Sequence, residues 1–123
     1  MKIEVSNGEI IDKLTIIEIK LQMIKDIDKL TNLRKEYDVL VEASEDIITI
    51  IDEQYRDLFR INTQLWQIEE DIRQYEKNAQ FGVGFVKTAR SVYFLNDQRS
   101  EVKRKINLIT GSNLIEEKSY AKV

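Results

Sequence analysis

The sequence has no cysteine, no proline and no histidine, and only four glycines and one tryptophan. Each absence excludes something. Without cysteine there is no disulfide framework, thiol nucleophile or iron–sulfur cluster. Without histidine there is no Ser–His catalytic pair, no imidazole base and no ordinary zinc or haem site. Any chemistry must run on carboxylates, Lys, Arg, Tyr, Ser or Thr, with a hard cation such as Mg²⁺ if a metal takes part. No apolar run approaches the ~18 residues of a membrane-spanning helix, so no membrane insertion is expected. The opening MKIEVSNGEI lacks the apolar core and cleavage site of a secretory signal, which makes a cytoplasmic location the expectation. With 22 acidic and 19 basic residues there is no cationic excess for nucleic acid. The one basic cluster, Lys103-Arg104-Lys105, is spread around a helix circumference and reads as a solvated face.

What remains is a chain of 123 residues, 42% hydrophobic and 33% charged, the size and composition of one globular domain spanning 1–123. Ser6-Asn7-Gly8-Glu9 reads as a capping box, with Ser6 accepting from an early helix amide and Glu9 reaching back to the cap. Ile10, Leu14, Ile17, Leu21 and Ile24 then repeat in steps of four and three, predicting a helix from about Asn7 to about Lys25. Asp26 offers the next cap, and Leu30, Leu33, Tyr37, Leu40 and Val41 carry a second helix to about Ala43. Ser44-Glu45-Asp46 reads as the cap of a third helix that runs to about Lys77, roughly 30 residues and ~45–50 Å. The two glycines of FGVGF mark a turn, and a fourth helix follows from about Val86 to about Ile109, closed by Gly111. The remaining residues, 111–123, form a tail expected to pack back through Leu114, Ile115 and Tyr120.

The expected architecture is therefore all-α: an elongated antiparallel bundle of three to four helices, two of them long, with a packed C-terminal tail. Eighteen isoleucines distributed over several helix faces argue for self-association, most simply a homodimer.

Polar residues interrupt the apolar pattern in one region. On the third helix one seam position reads Ile51, Leu58, Leu65, Ile72, while the other reads Tyr55, Asn62, Glu69, Glu76 and grows steadily more polar. Arg73 lies within one turn of both glutamates. On the fourth helix Arg99 occupies a stripe position between Val92 and Ile106. Antiparallel pairing about the turn sets Glu76 against Lys87 and Arg90, Glu69 against Arg90 and Tyr93, and Trp66 near Asn96 and Asp97. The candidate site is thus Trp66, Glu69, Arg73, Glu76, Arg90, Tyr93, Asn96, Asp97, Arg99 and Lys103. Inward charges must pair or line a wet cleft. Three readings follow: a salt-bridge network that fixes register; a ligand pocket with Arg and Lys for an anion, Trp66 and Tyr93 for a ring, and Asn and acids for hydroxyls; or carboxylates holding Mg²⁺. Asp12 and Glu18 on the first helix are six residues apart and off one line; Glu18 could face the third helix, but a solvated or capping-adjacent role is the expectation. Glu53 and Asp57 have the spacing of half a metal site, but Arg56 and Arg60 beside them favour a surface ion-pair reading. The GVG of the turn lacks the rest of a phosphate loop.

The strings VSNGEIIDKLTIIEIK, INTQLWQIEEDIRQYE, FVKTARSVYFLNDQRSEVKRKIN and GSNLIEEKSY together resemble a group of short bacterial and phage proteins of unknown function. The resemblance spans nearly the whole chain. It implies no established activity, only a loose association with surface-glycan biosynthesis genes.

Two functions from different classes fit these observations. One is a non-enzymatic accessory module that dimerises and binds a partner or a small anionic or sugar-related ligand, with no cofactor. The other is an Mg²⁺-dependent enzyme resembling the all-α nucleotide pyrophosphohydrolases. That family shows Glu-x-x-Glu followed on a later helix by Glu-x-x-Asp; here only Glu42 and Glu45 have the first spacing, and they straddle a helix break. A glycan-modifying reaction would need Glu69 or Glu76 as acid or base with a raised pKa, and neighbouring arginines work against that.

Overall fold

The Ser6 hydroxyl accepts from the Glu9 amide at 3.1 Å and starts helix α1, Asn7–Met23. Only half of the expected capping box forms, because the Glu9 carboxylate turns to Lys103 at 2.6 Å instead of back to the cap. Asp26 accepts from the Asp28 and Lys29 amides and starts α2, Ile27–Ser44. The computed structural model describes residues 1–123. Two long helices complete it, α3 (Asp52–Lys77) and α4 (Val83–Thr110), in the order α1–α2–α3–α4 with no strand. The fold class is the one the apolar periods predict.

Two boundaries differ from the expectation, the starts of α3 and α4. Ser44 does not cap α3, because its hydroxyl donates back to the Val41 carbonyl at 3.0 Å. A run of turns follows, and α3 starts only at Asp52, after the buried Ile51. At its other end α3 stops at Lys77, as expected, and the chain turns on Ala79, which takes a left-handed φ of 51°. The Gln80 amide reaches the Tyr75 carbonyl and the Ala79 amide reaches Glu76, the bonding of a Schellman motif without its usual glycine. Gly82 instead caps the start of α4, and Gly84 lies inside that helix. Gly111 ends α4 in the left-handed region, as expected.

Helix α1 lies between the α3–α4 hairpin and α2, which packs on α1 alone. Its two sides feed two apolar clusters. Ile11 joins Ile51, Leu58, Ile61, Val102 and Ile106, whereas Leu14 and Ile17 join Leu33 and Leu40. The α1–α4 crossing is close because Gly8 has no side chain: a Cβ there would stand 2.5 Å from the Lys103 carbonyl oxygen. In the space this leaves, the Gly8 amide donates to the Asn107 side chain at 2.7 Å.

The tail is held differently from the expectation. Leu114, Ile115 and Tyr120 are exposed, Tyr120 by 80%. Polar groups hold it instead: Glu116 accepts from Ser6, Glu117 from Arg104, and Asn113 donates to Glu4. The three residues of the basic cluster are indeed spread around α4, with Lys103 turned inward and Arg104 and Lys105 exposed.

Candidate functional site

The apolar face of α1 contains one acid. Asp12 is followed at helical spacing by Ile16 and Ile19, so its carboxylate is carried into the junction with α3 and α4, where it is 0% exposed. A carboxylate cannot remain charged there alone. Arg99 of α4 supplies the counter-charge with two parallel bonds, Nε to Oδ1 at 2.9 Å and Nη2 to Oδ2. Asn62 of α3 donates to the same Asp12 oxygen and to the Thr15 hydroxyl, each at 2.9 Å, while Thr15 donates to the Asp12 carbonyl. Three helices thus meet in one closed polar network in which no buried side-chain donor or acceptor is left unpaired. Hydrogen bonding to Asp12 holds the Arg99 pKa above its ordinary value, with burial opposing. The cation is permanent and its charge is committed.

Beside this junction, where α1 runs off the hairpin, a cleft of about 510 Å³ opens. Ile16 and Ile19 form one wall; Asn62, Leu65, Trp66, Glu69, Glu70 and Arg73 of α3 and Val92, Asn96 and Arg99 of α4 form the others. Arg73 stands 3.5 Å from Glu69, and Arg99 Nη1 donates to the Asn96 side-chain Oδ1 at 3.5 Å. Trp66 and Asn96 share the cleft, as the antiparallel register predicts.

Five of the ten candidate residues meet there: Trp66, Glu69, Arg73, Asn96 and Arg99. The other five do not. Lys103 is one turn further along α4 and bonds Glu9 and Glu116. Arg90 faces the Tyr93 hydroxyl on the same helix at 3.3 Å, not Glu69 or Glu76. Glu76 and Asp97 are exposed and form no ion pair. The inward orientation expected of Glu69 and Glu76 therefore does not hold: both are exposed, and only Glu69 has an arginine, from its own helix. The reason is the length of α1. Past its end only α4 is left beside α3, where Tyr75 meets Phe85, and Glu69 and Glu76 of the heptad seam turn to solvent.

A family of unknown function, DUF6165, matches residues 1–123, the whole chain. The chain belongs to the DUF6165 family. No curated protein and no solved structure matches this DUF6165 chain. The family is uncharacterised, in keeping with the resemblance carried by the four sequence strings.

No three carboxylates of the DUF6165 chain come together at one point. Glu42 and Glu45 are both exposed at the end of α2. Asp57 pairs with Arg60 and Asp52 with Arg56, both on the surface. No helix is long and apolar enough to cross a membrane.

Sequence reasoning set Asp12 aside, yet it is the anchor of the junction. Two signals pointed to it: its row with Ile16 and Ile19, and the inward position of Arg99, which requires a buried anion. Glu18, expected to be solvated, instead faces α3, where its carboxylate accepts from the Tyr55 hydroxyl. Burial first, then that hydrogen bond and the charge of Glu18, push the Tyr55 phenol well above its ordinary value. A raised phenol pKa contributes stability that is complete below the unfolded-state value of 10.0 and is lost above it, because only the unfolded chain then releases the proton. Urea denaturation of the DUF6165 protein should therefore show stability falling above about pH 10, by at most ~1.4 kcal/mol per pH unit from this group since it is part-exposed. The difference between wild type and Tyr55→Phe isolates the effect; a constant difference from pH 8 to 11 would contradict it.

Proposed function

We propose that the protein is a binding module, not a metal-dependent hydrolase, and that the cleft between α1, α3 and α4 takes an uncharged sugar ring. The observation that carries this reading is the composition of the walls. Trp66 supplies an aromatic face for the C–H side of a pyranose, with Ile16, Ile19, Leu65 and Val92 continuing the apolar surface. One turn further along α3, Glu69 and Glu70 offer acceptors, and Asn96 of α4 adds an amide, all suited to hydroxyl groups. An anion is less well served. Both arginines are already engaged by carboxylates, Arg99 by Asp12 and Arg73 by Glu69. Including Asp12 behind the wall, three acids stand against two bases, so the field opposes a phosphate.

Titration calorimetry or ligand-observed NMR tests this with neutral hexoses and N-acetylhexosamines, the same sugars phosphorylated, and inorganic phosphate. The expected result is binding of neutral sugars, weakened about tenfold in Trp66→Ala. Binding of inorganic phosphate, or sugar binding indifferent to Trp66→Ala, would overturn the reading.

A further inference from the structure

No residue from Thr63 to Glu101 is buried, although this stretch forms most of the long hairpin. Two helices alone cannot cover each other's apolar seam, and the molecule shows it. Its accessible surface is 8873 Å², against roughly 6,900 Å² for a compact monomer of 14.5 kDa. The excess of about 2,000 Å² is more than twice the ~800 Å² that each partner contributes to an ordinary stable dimer.

The side of the hairpin that faces away from the cleft is built for such a contact. At about 100° per residue, Gln64 and Trp66 fall on opposite sides of Leu65. Trp66 lines the cleft; Gln64 lines a second groove, of about 500 Å³, with Ile68, Phe94, Leu95 and Gln98. No charged residue lines this groove, in a chain whose residues are 33% charged. Depletion of charge is the mark of an interface core. Phe94, 40% exposed, stands at its edge on α4.

The charges that flank Phe94 identify the occupant. Lys87 lies seven residues before it and Glu101 seven after; Arg90 lies four before and Asp97 three after. All four share the outward stripe of α4 with Phe94, all are exposed, and none forms an ion pair within the chain. A two-fold axis through Phe94 with α4 antiparallel to its copy brings Lys87 to the partner's Glu101 and Arg90 to the partner's Asp97. We propose that a second copy of this chain docks here, α4 against antiparallel α4, each Phe94 entering the other's uncharged groove. The interface is independent of the ligand reading, since the cleft opens on the other side of the hairpin.

Sedimentation equilibrium of the full chain is the test. Wild type should sediment as a dimer that weakens with salt, because the flanking pairs lie at the rim. Phe94→Asp should give a folded monomer, with helicity kept by circular dichroism. Lys87→Glu and Glu101→Lys should each weaken association about tenfold, and the double reversal should recover most of that loss. The chain has no cysteine, so Phe94→Cys provides a single thiol on the axis that should form an intermolecular disulfide, whereas Val39→Cys on α2 should not. A wild-type monomer at 100 μM and above, a dimer unaffected by Phe94→Asp, or charge reversals whose effects simply add would each overturn the proposal.

Discussion

Replacing Asp12 with alanine is expected to lower the unfolding free energy by about 3–5 kcal/mol, the cost of stranding a buried charge. Two groups lose a partner at once. Arg99 keeps its charge with no counter-ion, and the Asn62 amide loses one of its two acceptors. For a domain of this size that is a large share of the whole stability. The network is not valuable because ion pairs are intrinsically stabilising in a core. Replacing both members with apolar residues of similar volume, Asp12→Leu with Arg99→Met, should recover most of the loss. What the pair does is fix three helices in one register, since Asp12, Asn62 and Arg99 come from α1, α3 and α4. Urea denaturation of the two single variants and the double variant measures the coupling. A double variant as unstable as the sum of the singles would show that the two side chains act separately.

Gly8→Ala is the second large effect, expected to cost about 2–3 kcal/mol. The added methyl would lie 2.5 Å from the Lys103 carbonyl oxygen and 3.0 Å from the Asn107 side chain. The first of these is backbone in the middle of α4 and cannot swing aside. The helices must separate, which stretches the buried Gly8–Asn107 hydrogen bond and the neighbouring, part-buried Lys103–Glu9 contact. Gly82→Ala is the control, because nothing lies within 4 Å of a Cβ there. Thermal unfolding should separate the two clearly; equal effects would mean that the close crossing of α1 and α4 is not what Gly8 provides.

The helices were legible because their apolar residues recur at helical spacing, and their caps because Ser6, Asp26 and Gly111 have the chemistry those positions require. The false start at Ser44 shows where local chemistry gives out. A serine followed by two acids satisfies the capping pattern, but its hydroxyl is also one turn from the Val41 carbonyl, and that bond forms. The end of α3 at Lys77 is the expected one, but the left-handed turn there falls on Ala79 and not on a glycine, so α4 starts at Val83, earlier than the glycines of FGVGF suggest.

The candidate site was half legible. Heptad counting places Glu69 and Glu76 inward on the premise that a third helix accompanies α3 along its length. Helix α1 is 17 residues long and α3 is 26, so the premise fails towards the turn. Trp66, Asn96 and Arg99 lie where α1 still reaches and were placed together correctly. Asp12 was overlooked because its partner lies 87 residues away in the chain, and no local spacing reveals such a pair. An arginine in an apolar stripe is a reason to look for an acid in another.

In the proposed sugar site Trp66 forms the stacking wall, and the chain offers a direct probe of that role. Trp66 is the sole tryptophan, so all indole fluorescence reports on the cleft. Collisional quenching by acrylamide should fall when a neutral hexose or N-acetylhexosamine is added, because a ring stacked on the indole excludes the quencher, and it should not fall with inorganic phosphate. Quenching unchanged by every neutral sugar at 10 mM, a concentration of roughly millimolar-affinity saturation, would contradict the account.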